Sequence, residues 1–210
     1  LQDKPNLFYK KEINERKSTI NQNINEIKNL KELELLIKNA NENKLQKNFS
    51  NIIIGEGDEK AKLLIIGDCH IKENDIIKIL TKESKYLLDN MLKAINIDSK
   101  DVYLTNVIPW IIIKNKKIEN KDILNALPFI QKHIEIIKPK LILLCGSIAS
   151  KAILNTNLDI SKLRGKWHNY KSINLDKKIE CIVTYHPKHL ILLPKEKKYA
   201  WEDLQILQKK

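Results

Sequence analysis

The 210-residue chain carries 38 Lys and Arg against 26 Asp and Glu, a formal net charge of +12, and 42% of its residues are apolar. That length and apolar content suit one substantial core and favour one globular domain over two. No run reaches the roughly 18 apolar residues of a membrane span, and Leu1-Gln2-Asp3-Lys4 does not open a charged-then-apolar signal peptide, so a cytoplasmic monomer with no membrane partner is expected.

From Glu12 to Leu45, Ile20, Ile24, Ile27, Leu30, Leu33 and Leu36 recur every three or four positions, the spacing of one helix face. Residues 1–50 are therefore predicted as an N-terminal helical arm whose Lys-, Glu- and Asn-rich face is solvated. Residues 51–210 form the second unit. Four apolar runs follow, each ending in a turn: Lys62 to Gly67, Val102 to Asn106, Leu141 to Gly146 and Glu180 to Thr184. Near-continuous apolar runs suit parallel strands buried on both faces. Helical patterns separate them, Leu87 to Ile95 and Ile123 to Ile137, and Ser147 reads as the N-cap of a third. The alternation predicts an α/β fold, a three-layer sandwich around a four-stranded parallel sheet. Two of the three cysteines, Cys145 and Cys181, fall inside apolar runs, so with Cys69 they read as reduced thiols and not a disulfide framework.

In such sheets ligands bind beyond the carboxyl ends of the strands, which singles out Asp68-Cys69-His70, Asn106, Gly146-Ser147 and His186-Pro187. The Asn106 amide offers an acceptor beside a donor, the complement of a uracil edge and the opposite of a cytosine edge; turning the chain is its other reading. Pro187 biases His186 toward an extended, rigid projection, where a ring N–H could stabilise charge on a departing oxygen; an ordinary loop histidine is the alternative. Asp68 could stabilise a cationic sugar or orient water, or could cap a helix. The Gly146-Ser147 helix start suits a phosphate. Arg164, Lys166, Trp167 and His168 suit a nucleic-acid backbone or a base stack, or a folded surface turn. The positive charge favours a polyanion such as DNA, though A/T-rich codons also produce Lys, Asn and Ile.

Together these segments resemble the uracil-DNA glycosylase superfamily, of the family-four type, and most closely relatives with Pro-Trp after the uracil-reading Asn. The resemblance runs from about Asn51 to Leu207, through Gly55-Glu56-Gly57, Asp101-Val102-Tyr103, Asn106-Val107-Ile108-Pro109-Trp110, Leu127-Pro128-Phe129-Ile130, Ile134 to Pro139, Arg164-Gly165-Lys166-Trp167, His186-Pro187 and Trp201-Glu202-Asp203-Leu204. It implies a DNA repair enzyme that flips uracil from DNA and hydrolyses the N-glycosidic bond to an abasic site. By that resemblance Asp68 and His186 are catalytic, Asn106, Cys69, His70 and Thr81 surround the uracil, and Ser147, Arg164, Lys166, Lys188, His189 and Leu190 meet the DNA, with Lys188 to Leu192 pressing on the duplex.

The departures define further expectations. The family's four cluster cysteines correspond to Ala40, Asn43, Trp110 and Ala126, so no iron-sulfur cluster and no other cofactor or metal is expected. The family's Gly-Glu-Ala-Pro-Gly reads Gly67-Asp68-Cys69-His70-Ile71, its base-stacking Phe falls on Thr81, and its Arg-Pro-Pro after Trp110 reads Ile111-Ile112-Ile113. A weak enzyme follows from those changes. The competing reading is a catalytically impaired DNA-binding homologue that keeps the fold. A metal hydrolase built on Cys69, His70, Cys145 and His186 lacks ligand spacing, and a dinucleotide enzyme lacks a G-x-G-x-x-G turn after Gly67.

Overall fold

The computed structural model describes residues 24–42, 52–73, 76–111, 118–172 and 178–210. All four apolar runs are strands: β2 (Leu63–Glu73), β4 (Val102–Ile111), β5 (Leu141–Cys145) and β7 (Lys178–Thr184), following the short β1 (Glu56–Gly57) and separated by β3 (Ile76–Lys78) and β6 (Trp167–Lys171). The sheet is larger than the four parallel strands expected and is mixed. Its order is β1-β4-β2-β5-β7-β6, with β3 folded back on β2. The central β4, β2, β5 and β7 are parallel, while β1 and β6 close the two edges antiparallel.

Alternation along each strand sorts the side chains to two faces. Leu64, Ile66, Ile142, Leu144, Cys181 and Val183 join one apolar cluster, with residues of α1 (Leu30–Glu42), α3 (Asn120–Ile137) and α4 (Ser147–Leu154). Leu63, Ile65, Leu143, Cys145 and Ile182 join the other, with residues of α2 (Lys82–Ala94), α6 (Pro187–Leu192) and α7 (Lys197–Gln208); the short α5 (Ile160–Leu163) lies before β6. Every one of these strand residues is at most 6% exposed, which is why both faces of the runs are apolar. Three layers result.

The arm is part of that core where it is described. Leu33 and Ile37 of α1 are 0% and 1% exposed in the first cluster, and the Lys132 ammonium on α3 donates to the Asn25 carbonyl at 3.4 Å. Ile20 and Leu45, at the ends of the predicted arm, lie outside the described residues.

Strand β2 runs on beyond the apolar run that begins it, and no proline interrupts its ladder. The chain continues past a register shift between Cys69 and His70 to form a hairpin with β3. On the sheet, Leu63 to Ile66 keep an even parallel register with Val102 to Thr105 on one side and Leu141 to Leu144 on the other. That register aligns the strand ends on which the chemistry-bearing residues stand.

Two histidines lie inside. His70 and His133 are 2% and 3% exposed, each with an unpartnered Nε2, and the Tyr103 ring meets His133 edge-on at 5.3 Å. Burial pushes His133 down to about 3 and His70 below the usual histidine range. The unfolded chain takes up these protons near pH 6.5 while the folded chain refuses them, so their stabilisation is full above that value and is lost as pH falls. Replacing His133 with Leu is expected to flatten the loss of stability between pH 6 and 4 by about 1.4 kcal/mol per pH unit, read from urea unfolding at several pH values.

Candidate functional site

Asn106 stands on β4 directly across from Gly67 on β2. Its Nδ2 donates to the Ile79 carbonyl at 3.0 Å, which leaves the buried Oδ1 without a partner. A buried acceptor left unmade costs roughly 1–3 kcal/mol, which a donor from a ligand would recover. Gly67 lets the amide approach: a Cβ at this position would collide with Asn106 Oδ1 and stand 3.6 Å from His186 Nε2. The two groups therefore face one glycine.

His186 arrives from β7 as the N-cap of α6, with Pro187 as the first helical residue. Its Nδ1 accepts the Lys188 N–H at 3.1 Å, so the neutral ring carries its proton on Nε2, the nitrogen turned to Gly67. Burial, reinforced by Lys188 and His189, pushes the imidazole down to about 4. At neutral pH it is an uncharged N–H donor.

Asp68 is one residue beyond Gly67. Its Oδ1 accepts the Ala149 N–H at 2.9 Å, so it caps α4 from a neighbouring strand. Burial raises its carboxyl to about 6 against the opposing pull of the Ala149 and Ile148 N–H groups. The N-cap of α4 is Gly146, at φ +115°, and not Ser147; a Cβ there would stand 2.6 Å from Asp68 Oδ1. The helix start that Ser147 was expected to offer a phosphate thus already holds a carboxylate.

The family model of the uracil DNA glycosylase superfamily matches residues 54–205, which contain all three of these residues. The chain belongs to that superfamily. Among relatives, the type-4 uracil-DNA glycosylase of Pyrobaculum aerophilum is 26% identical over 79% of this chain and 86% of its own length. That of Saccharolobus solfataricus is 29% identical over 77% of each. A DNA polymerase of Bacillus phage SP01 is 26% identical over 73% of this chain but only 16% of the polymerase.

Of the residues expected around the uracil, His70 and Thr81 make contacts of their own. His70 is buried and its Nδ1 bonds the Ile108 carbonyl at 3.0 Å. Thr81 caps α2, accepting the Ser84 N–H at 3.2 Å and donating to Ser84 Oγ at 2.9 Å. Cys69 is half-buried beside Asp68, and burial pushes its thiol up to about 11, so it stays protonated. All three cysteines are free thiols.

The expected DNA contacts also divide. Leu190 is 1% exposed and packs in the core, whereas Ile191, Leu192 and Leu193 are 38%, 70% and 49% exposed. His189 stacks on Tyr185 with ring centroids 4.9 Å apart and bonds Glu196 at 2.6 Å. Arg164 is forked onto Asp203. Lys188 is exposed, and Lys166 reaches the Lys162 carbonyl at 3.3 Å.

The family's cluster does not fit the residues present. Ala126 is fully buried, the Trp110 ring meets Phe129 edge-on at 6.3 Å, and Asn43 lies outside the described residues, as does the side chain of Ala40. Trp110 and Ala126 offer no thiolate. Among the described residues no group of three or more His, Cys, Asp and Glu could hold a metal ion. No helix among them is long and apolar enough to cross a membrane.

Sequence reasoning missed Gly67 as the glycine that Asn106 and His186 both face, Ile79 as the tether of Asn106, and Gly146 as the seat of Asp68. Glycines at two adjacent strand ends were the available signal; nothing local marks Ile79. Because Gly146 combines positive φ with contact against Asp68, Gly146→Ala is expected to lower stability by roughly 1–3 kcal/mol, measured as a shift in denaturant midpoint.

Proposed function

We propose that this chain is a monofunctional uracil-DNA glycosylase, and a slow one. The observation that carries the reading is the meeting, over Gly67, of an unpartnered buried acceptor on Asn106 with a neutral N–H donor on His186. A flipped uracil would give its N3–H to Asn106 Oδ1, and the second proton of Nδ2 is available to O4. Cytosine presents a lone pair where uracil presents N3–H and leaves that acceptor unpaired.

As the N-glycosidic bond breaks, its electron pair passes to the base and charge grows on uracil O2. An Nε2–H held in place before the reaction stabilises that charge without a proton having to move. Asp68, ionised above about pH 6, faces the cationic sugar or orients the water that attacks C1′. Water adds its oxygen to C1′ and gives a proton to Asp68, uracil leaves as the anion with the electron pair of the broken bond, and the sugar keeps a hydroxyl at the abasic site. The chemistry is assigned to side chains alone, without a cluster or metal.

Two features support a low rate. The base-stacking Phe of relatives is replaced by Thr81, and such a platform contributes about 1–3 kcal/mol per base. Asp68 divides its carboxylate between the pocket and α4. The wedge that fills the vacated stack is assigned to Ile191, Leu192 and Leu193 and not to Leu190. Lys188 supplies charge to the backbone, and the substrate is uracil-containing DNA bound by a monomer.

Single-turnover assays on uracil-containing oligonucleotides test this directly. Duplex binding without any abasic product would establish the impaired DNA-binding homologue instead. His186→Gln is expected to lower the rate by about 10²–10³. The rate should rise with pH through about 6, where Asp68 ionises, and then level off, since His186 is neutral throughout; Asp68→Asn should remove that rise. Leu192→Ala is expected to slow excision from duplex more than from single strands, a comparison of the same two rates.

A further inference from the structure

Two of the segments shared with the family, Arg164-Gly165-Lys166-Trp167 and Trp201-Glu202-Asp203-Leu204, have no role in the reaction described above, yet they meet. Arg164 Nε donates to Asp203 Oδ2 at 3.1 Å and Nη2 to Oδ1 at 2.6 Å, and Asp203 is 0% exposed. The same Nη2 reaches the Tyr199 carbonyl and Glu202. Gly165, at φ +69°, is the only kind of residue that sits easily there, since a Cβ would lie 3.1 Å from Asp203 Oδ1. A planar fork held on a buried carboxylate has one orientation.

That orientation bears on the pocket. The guanidinium carbon lies 4.9 Å from the centroid of the Tyr199 ring and 5.9 Å from that of Tyr185, the residue before His186. The Tyr185 ring also stacks on His189, 22° from parallel, and His189 is fixed by Glu196. Arg164 on one side and the His189–Glu196 pair on the other thus clamp the chain at both ends of the turn that carries His186.

We propose that Arg164 is a positioning residue for His186: its fork onto Asp203 braces Tyr185, and the braced turn holds the imidazole over Gly67. The proposal rests on the glycosylase reading for its effect on rate, but not for its effect on the ring. It replaces the expectation that Arg164 contacts the DNA backbone.

Arg164→Lys keeps a positive charge opposite Asp203 while removing the planar fork, and Tyr185→Leu removes the braced ring without touching Asp203. Each is expected to lower the single-turnover rate at least tenfold, with duplex affinity and its salt dependence unchanged. Tyr185→Phe should retain the rate, and the double variant should lose no more than the single variants, because both break one linkage. In ¹⁵N-histidine spectra, His186 of the wild type should remain the neutral Nε2–H form at pH 5, while both variants should show it taking up protons or exchanging tautomers there.

Wild-type rates in both variants would overturn the proposal, as would a lowered rate with an unaltered His186 spectrum. A backbone contact would instead show as weaker binding with the salt slope reduced by about one. A wild-type chain that excises no uracil would sink the glycosylase reading, and the histidine spectra would still decide the brace.

Discussion

The parallel pairing of β2 with β4, with Gly67 across from Asn106, is the constraint on which the site depends. A sheet register is held by every ladder bond along both strands, so the Asn106 amide cannot drift relative to Gly67. Pairing of β5 with β7 brings Cys145 level with Thr184 in the same way, placing Gly146 and His186 just beyond matched strand ends. Residues 68, 106, 146 and 186 are far apart in the chain and close in space for this reason. The polar groups are carried on rigid elements, and only short turns separate them from the ladder.

How much of this was legible follows from what each signal measures. Strand and helix positions were, because burial on both faces of Leu63 to Ile66 or Leu141 to Leu144 leaves an apolar run that needs no context to read. Asn106 and His186 were legible as the polar residues that end two such runs. The edge strands β1 and β6 were not, since Glu56-Gly57 and the half-exposed Trp167 to Lys171 carry neither a run nor a clean alternation. Leu190 was assigned to the wrong side because its neighbours Ile191 and Leu192 are equally apolar; only the turn of α6 decides which leucine faces the core. The Asp203 partner of Arg164 was not legible, because a cation in a loop looks the same whether it awaits a phosphate or already holds a carboxylate 39 residues away.

Burial, more than net charge, sets the electrostatics of the pocket. The net charge is positive, but the groups at the strand ends are tuned by exclusion of water: His186, facing Gly67, is driven neutral and Asp68, against Gly146, toward its protonated form. A neutral imidazole fits its placement beside a buried amide, where an imidazolium would be costly to desolvate and would leave Nδ1 unable to accept the Lys188 N–H. The N-capping contact thus fixes the tautomer as well as the ring.

Asp68 is where structure and chemistry draw on the same atoms. A shift from 3.8 to about 6 amounts to roughly 3 kcal/mol against the charged form, so burial outweighs the α4 N–H groups that favour it. Without those N–H groups the carboxyl would rise further. With them it ionises just below neutrality, the range in which a general base combines the right protonation state with useful basicity. The helix cap that occupies one carboxylate oxygen therefore also favours the charged form. The glycine at 146 that lets the carboxylate reach the helix belongs to the site as much as the acid does.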